Sequence, residues 1–314
     1  FKTVAEYYHD VSMGALYLEF EIFDVLTNDG WVALFGARDE YANEREHTLI
    51  RDAIDSLPNA ETALANFDIF ATIHSGTRGL GANKIRTAAW PINAGITPYP
   101  FDEDASKSLL KIVLSEYSNL FAISHELGHS LGILNTPNNT ITPDTYRMGM
   151  QNWLIPVPEA IRPNDWGMMG GISSLSSAQL VHFTSYIKHF FGFLEENIIA
   201  KSEYGTYPVK VLSQMTFGDA VLRYNLVESV SPEATDYYLL EARRSDLGKW
   251  DNNLPADDRE LLYRVKTFGR EAYDQQNHER RRLNLVSLME TDNTYRDHCE
   301  DIYFQRKEST LIGG

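Results

Sequence analysis

The chain has 314 residues, 43% of them hydrophobic and 23% charged, the balance of a folded protein with a substantial core. A formal charge of −16 at pH 7 argues against nucleic acid or an anionic membrane as the main partner, and no apolar run reaches the length of a bilayer span. The single Cys299 excludes an internal disulfide framework and a cysteine-based zinc site, and an opening on Phe1 reads as a processed or trimmed product.

A helix is expected over 1–12, with Val4, Tyr7, Tyr8 and Val11 on one face. Leu16, Leu18, Phe20 and Ile22 then alternate with other residues, as in a half-buried strand. Asn28-Asp29-Gly30 signals a hairpin, with 31–35 as its return. A second helix is expected over 47–57, where Pro58 ends it. An apolar, β-rich run at 67–74 precedes a glycine-rich turn at 76–81, and 85–92 is a further strand candidate. The apolar spacing that starts at Leu120 reads as a further helix. The segment 135–166 is irregular, with Pro137, Pro143, Pro156, Pro158 and Pro163, a pattern that places it as the lower wall of a cleft. Residues 165–171 form a tight glycine-flanked turn around Met168 and Met169, and 176–194 read as a helix, apolar at Leu180, Phe183, Ile187, Phe190 and Phe191. Beyond about residue 200, short β-rich runs at 207–212, 220–227, 237–242, 261–265 and 284–289 suggest a sandwich-like second domain. The basic cluster Glu279-Arg280-Arg281-Arg282 reads as a solvated face.

The stretch with the most chemistry is His125-Glu126-Leu127-Gly128-His129, an H-E-x-x-H motif. Four residues advance a helix by about 400°, so the two imidazoles project one above the other. Zinc takes imidazole nitrogen at about 2.0–2.1 Å, and catalytic sites use three protein ligands with a fourth position open. Glu126 is placed to handle a proton. Leu120, Ile123, Leu127, Leu131 and Leu134 form an apolar stripe, and His125 lies about 200° from Ile123 and Leu127. The histidines are therefore expected to face away from the buried stripe, towards an open side. Gly132 is expected to take the left-handed conformation that stops the helix and returns the chain to the metal. His182 and His189 read as core or surface histidines rather than a second metal pair. Asp and Asn residues over 138–165 offer oxygen donors for a structural Ca2+, without EF-hand spacing.

Together these pieces resemble the metzincin clan of zinc peptidases, whose signature is H-E-x-x-H-x-x-G-x-x-H or -D followed by a methionine turn. Within the clan the chain looks most like the immune inhibitor A family of secreted bacterial metalloproteases. Glu6-Tyr7-Tyr8-His9-Asp10-Val11-Ser12-Met13-Gly14-Ala15-Leu16 resembles that family's opening helix and strand, and Ile73-His74-Ser75-Gly76 its strand end before a glycine loop. Trp166-Gly167-Met168-Met169 resembles its Trp-x-x-Met turn. Tyr237-Tyr238-Leu239-Leu240-Glu241-Ala242-Arg243, followed by Asp251 and Leu254-Pro255, resembles part of its β-rich region. The resemblance implies an α+β fold: a metzincin-like catalytic domain over 1–198, with a mixed sheet, active-site helix and Met-turn, then a β-rich, sandwich-like domain over 199–314. It also implies a secreted zinc endopeptidase acting on protein or peptide substrates, with His125 and His129 as zinc ligands and Glu126 as general base. Met169 would form the floor beneath the metal, with Met168 less favoured by its spacing from Trp166. An extended substrate would pair with strand 85–92.

The third-ligand position is Asn135, where the family has Asp and most metzincins His. Asparagine offers only a neutral carbonyl oxygen, a weaker donor for zinc than carboxylate or imidazole. Three outcomes stay open. Asn135 coordinates and leaves a more positive site; a loop residue replaces it, Asp144 being the nearest carboxylate; or the metal is lost and the protein binds proteins or glycans without cutting them. A different zinc-peptidase clan, with Glu159 or Glu195 as third ligand, is disfavoured by Gly132 and the Trp-x-x-Met turn.

Overall fold

The computed structural model describes residues 2–23, 34, 41, 46–76, 88–90, 110–135, 142, 167–170, 180–201, 203, 205–226, 230–232, 236–253, 258–274 and 279–289. Helix α1 (Lys2–Val11) forms as expected, and Val4, Tyr7, Tyr8 and Val11 are fully buried along one face. Met13 and Gly14 follow at φ 60° and 81°, and the Gly14 N–H closes on His9 O at 2.8 Å, so the chain leaves the helix through a left-handed turn. Residues 15–23 form no strand with any described residue. Leu16 and Leu18 pack on the core with Tyr17 exposed between them, but Phe20 and Ile22 of the same expected face are exposed, so the alternation stops at Leu18 and forms no ladder. The expected hairpin turn at 28–30, and its return strand apart from Leu34, lie outside the described residues.

Helices α2 (Glu46–Asp55) and α3 (Ala60–Leu64) precede a three-stranded sheet of β1 (Ile69–His74), β2 (Ala88–Trp90) and β3 (Leu110–Ser115). Its order is β1-β3-β2, with β3 parallel to β1 from Ile69↔Leu110 to His74↔Ser115 and antiparallel to β2 at Ala88↔Val113. All six β3 residues are buried, Lys111 included. Its side chains alternate between two cores. Ile112 and Leu114 join α1 and α4 (Leu120–Asn135), whereas Val113 joins Leu49, Ile50 and Ile54 of α2 and Phe70 of β1. The sheet therefore carries α2 on one face and the histidine helix α4 on the other.

The helix expected over 176–194 is shorter. Among the described residues α5 spans Ser185–Phe190, and 180–184 are not helical. Thr184 adopts an extended ψ of 159° and its hydroxyl accepts the Ile187 N–H, so it is the N-cap. Leu180 and Phe183 thus follow the helical period without belonging to the helix. Strands β4 (Glu195–Ile199), β5 (Ala220–Asn225), β6 (Asp236–Arg244), β7 (Asp258–Asp274) and β8 (Glu279–Met289) form one sheet in sequential order. The first pair is parallel and the others antiparallel, with an irregularity between Thr267 and Glu271. The expected run at 207–212 yields only an isolated bridge, Val211↔Ala242, and a tight turn over Leu212–Gln214.

Among the described residues the chain is thus a mixed helix and sheet structure, with which an α+β fold is compatible. The buried cluster around α1 and α4 also takes in Leu212, Val221, Tyr237, Leu239 and Trp250, so it draws on both sides of position 198. Among the described residues, no helix is long and apolar enough to cross a membrane.

Candidate metal centre

Helix α4 starts where Asn119 Oδ1 accepts the Ala122 N–H at 2.8 Å, an N-cap that sets the phase of the motif one turn later. The helix is more enclosed than its apolar stripe suggests. Phe121, Ala122, Ser124, Leu127, Ser130 and Leu131 are buried, and His125 is only 7% exposed. Glu126 and His129 are half-buried. The expectation that the histidines face an open side is therefore corrected for His125. Its ring stacks on Phe121 of the same helix, centroids 5.8 Å apart, and it meets Met168 of a neighbouring loop, a contact that periodicity on one helix cannot register.

That loop is the turn around Met168 and Met169. The Gly170 N–H bonds Gly167 O at 2.9 Å, which closes a tight turn around the fully buried Met168 and Met169. Met168 O lies 2.9 Å from His125 Nδ1. His129 Nδ1 lies 2.6 Å from Thr142 O, and the Thr142 N–H donates to His129 O at 3.2 Å. A carbonyl only accepts, so Nδ1 carries a proton in both rings, and in the neutral form of each the lone pair is on Nε2. Such an outer hydrogen bond also fixes the ring plane of a metal-binding histidine. The two rings stand perpendicular with centroids 4.8 Å apart. These two rings are the donors that a divalent ion with imidazole affinity would use.

Gly128, between the histidines, has a structural reason that motif reading did not supply. A Cβ there would stand 2.8 Å from Met169 Sδ and 3.3 Å from the Phe183 ring. Met169 thus packs directly against the motif helix, while Met168 contributes its carbonyl. Gly167 is similarly tight, since a Cβ would meet Thr184 Cγ2 at 2.6 Å. Beneath the helix, Tyr8 donates its hydroxyl to Ser124 O. Burial first, and then the charge of Glu126, push the Tyr8 hydroxyl well above the ordinary tyrosine range, so it stays protonated.

Gly132 does not end the helix. α4 continues to Asn135, and Gly132 is absent from the positive-φ glycines. Glycine permits the left-handed conformation without requiring it, and the helical ladder runs through. A helix continued this far carries position 135 about 9 Å along the axis beyond His129 and about 240° around it. Ligation by Asn135 therefore needs a bend that the backbone up to 135 does not make. The Asn135 side chain, Asp144 and Glu159 lie outside the described residues, as do Trp166 and, Thr142 apart, the 138–165 segment considered for calcium. Glu195 is exposed at the start of β4, and among the described residues no His, Cys, Asp or Glu makes a group of three with the two histidines. His182 and His189 serve elsewhere: the first is buried against Lys188, and the second bonds Leu194 O through Nδ1.

No protein-family model matches the chain, and no curated protein matches it either.

Proposed function

We propose that the chain is a zinc-dependent endopeptidase of the metzincin kind, acting on protein or peptide substrates outside the cell. The observation that supports this most strongly is the pair of Nδ1 contacts to Met168 O and Thr142 O, which would orient both motif rings so that a metal is met through Nε2. A methionine turn packed on the same helix adds to it, as the resemblance implies. His125 and His129 would hold the ion. The third protein donor would be Asn135, the last residue of α4, or Asp144 from the chain that follows in its place. When bound, zinc supplies Lewis acidity towards water and towards a carbonyl oxygen.

The rest of the chemistry belongs to the chain. The Glu126 carboxylate takes a proton from the attacking water and delivers it to the leaving nitrogen. Tyr8 stays neutral, so it adds no charge that would compete with Glu126. Strand β2 is at the edge of its sheet among the described residues and runs antiparallel to β3, which suits an extended substrate strand.

The test is zinc content together with cleavage of an unstructured protein such as casein, with and without a chelator. Wild type should retain zinc and cleave until the chelator is added. Glu126→Ala should bind zinc and lose at least about a hundredfold in rate. A wild type that holds no zinc, or equal digestion by the Glu126→Ala form, contradicts the proposal.

A further inference from the structure

Behind the Met turn lies a second group of ionisable side chains, all of it buried: His182, Lys188, Glu241, Arg243 and Asp251. Arg243 joins the two acids. Its Nε and Nη2 bond Asp251 Oδ2 and Oδ1 at 2.9 and 2.6 Å, and its Nη1 bonds Glu241 Oε1 at 2.8 Å. Each acid also holds a backbone amide: Asp251 Oδ1 accepts the His182 N–H at 3.4 Å, and Glu241 Oε2 accepts that of Ser185. Lys188 Nζ adds a contact to His182 Nδ1 at 3.1 Å. Burial works to raise the Asp251 carboxyl pKa, but Arg243 and His182 bring it below its ordinary value, so the acid stays charged.

The two residues between the anchored amides are Phe183 and Thr184. These are the residues that stand against Gly128 of the motif helix and Gly167 of the Met turn. The clamp and the candidate centre are therefore opposite sides of one four-residue segment.

We propose that Arg243 is a positioning residue for the metal centre: by tying Glu241 to Asp251 it fixes the backbone of 182–185, and through Phe183 and Thr184 it fixes the Met turn whose carbonyl orients His125. The inference rests on the reading of His125 as a metal ligand but requires no peptidase activity. A purely stabilising role would make the cluster equivalent to another ion pair of this sheet, the buried Arg223 with the half-buried Glu196 at 2.7 Å. Arg223 also bonds Asn225 and Pro232, away from the 182–185 segment.

The experiment compares the whole chain with its Glu241→Gln and Glu196→Gln forms, labelled at histidine and free of zinc. Proton–nitrogen NMR reads the His125 Nδ1–H, unfolding midpoints are taken on the same samples, and zinc binding is then titrated with zinc chloride. Both variants should lower the midpoint. Only Glu241→Gln should displace the His125 Nδ1–H signal and weaken zinc binding, by about tenfold. If Glu241→Gln fails to fold, Arg243→Lys takes its place, because it keeps the charge and loses the planar fork. The same displacement is expected from it. A His125 signal that is unmoved, or moved equally by the control, overturns the proposal. Absence of casein cleavage by wild type alongside the predicted contrast would refute the peptidase reading and leave this inference standing.

Discussion

Replacing Gly128 by alanine adds one methyl group between the two motif histidines, and two effects of opposite sign then compete. In a helix interior alanine is favoured over glycine by about 1 kcal/mol. Against this, the new Cβ would lie 2.8 Å from Met169 Sδ and 3.3 and 3.4 Å from Phe183 Cε1 and Cζ. Carbon contacts prefer about 3.5–4.0 Å, so sulfur must retreat by roughly 1 Å. Neither neighbour has room. Met169 is buried in its turn, and the Phe183 ring is held by Tyr7, Tyr8 and Phe191, with centroids 6.0, 5.9 and 5.2 Å away. Overpacking of this kind costs about 1–3 kcal/mol, so the net effect is a loss of zero to about 2 kcal/mol. A separate effect on metal binding follows, because a displaced Met169 carries Met168 O away from His125. Zinc binding should weaken by about tenfold. Urea unfolding of the zinc-free protein and competition against a chromophoric chelator measure the two quantities. A variant that gains the full propensity benefit with zinc affinity unchanged would refute the packing of Met169 against this helix.

The pH dependence of stability offers a second check. Burial, reinforced by Arg243, lowers Lys188 from 10.5 to about 7. Between those values the unfolded chain holds a proton that the folded chain lacks, so the contribution of this group rises with pH across the window. Tyr7, Tyr8 and Tyr237 are raised, chiefly by burial, so above about pH 10 the unfolded chain ionises first and stability falls. Urea midpoints from pH 7 to 11 should pass through a maximum, and Lys188→Met should flatten the rising limb; a midpoint falling steadily from pH 7 contradicts this. Tyr8→Phe removes the hydroxyl bonded to Ser124 O and should cost about 1 kcal/mol in the same assay, with a negligible change arguing against that bond. Chelation of the zinc-loaded chain should lower its thermal midpoint and re-addition of zinc should restore it, whereas an unchanged midpoint argues that no metal binds the folded state.

Local periodicity carried the elements that bury a single stripe. Val4, Tyr7, Tyr8 and Val11 mark α1, and the apolar spacing around His125 marks α4. It failed where the pattern is continuous or shared. Leu110–Ser115 is not legible as a strand, because an apolar run containing Lys111 has no period, although burial on both faces is what a central strand requires. Leu180 and Phe183 continue the helical spacing of α5, yet Thr184 caps the helix after them. At the candidate centre the motif exposed its side chains and concealed their supports. The groups that orient His125 and His129 are the carbonyls of Met168 and Thr142, and any residue type presents a carbonyl. The role of Gly128 is similarly non-local, since it depends on Met169 and Phe183 arriving from distant segments. Gly132 shows the opposite error, a residue credited with a turn that its backbone does not make.

The central claim is that one helix presents two imidazoles, each held at Nδ1, to a single divalent ion. X-ray absorption at the zinc edge, on the full chain loaded with one equivalent of zinc, addresses it directly. The account predicts two imidazole nitrogens at about 2.0–2.1 Å, lost together in a His125→Ala, His129→Ala double variant. A zinc shell of oxygen alone, or one that is the same in the double variant, would contradict it.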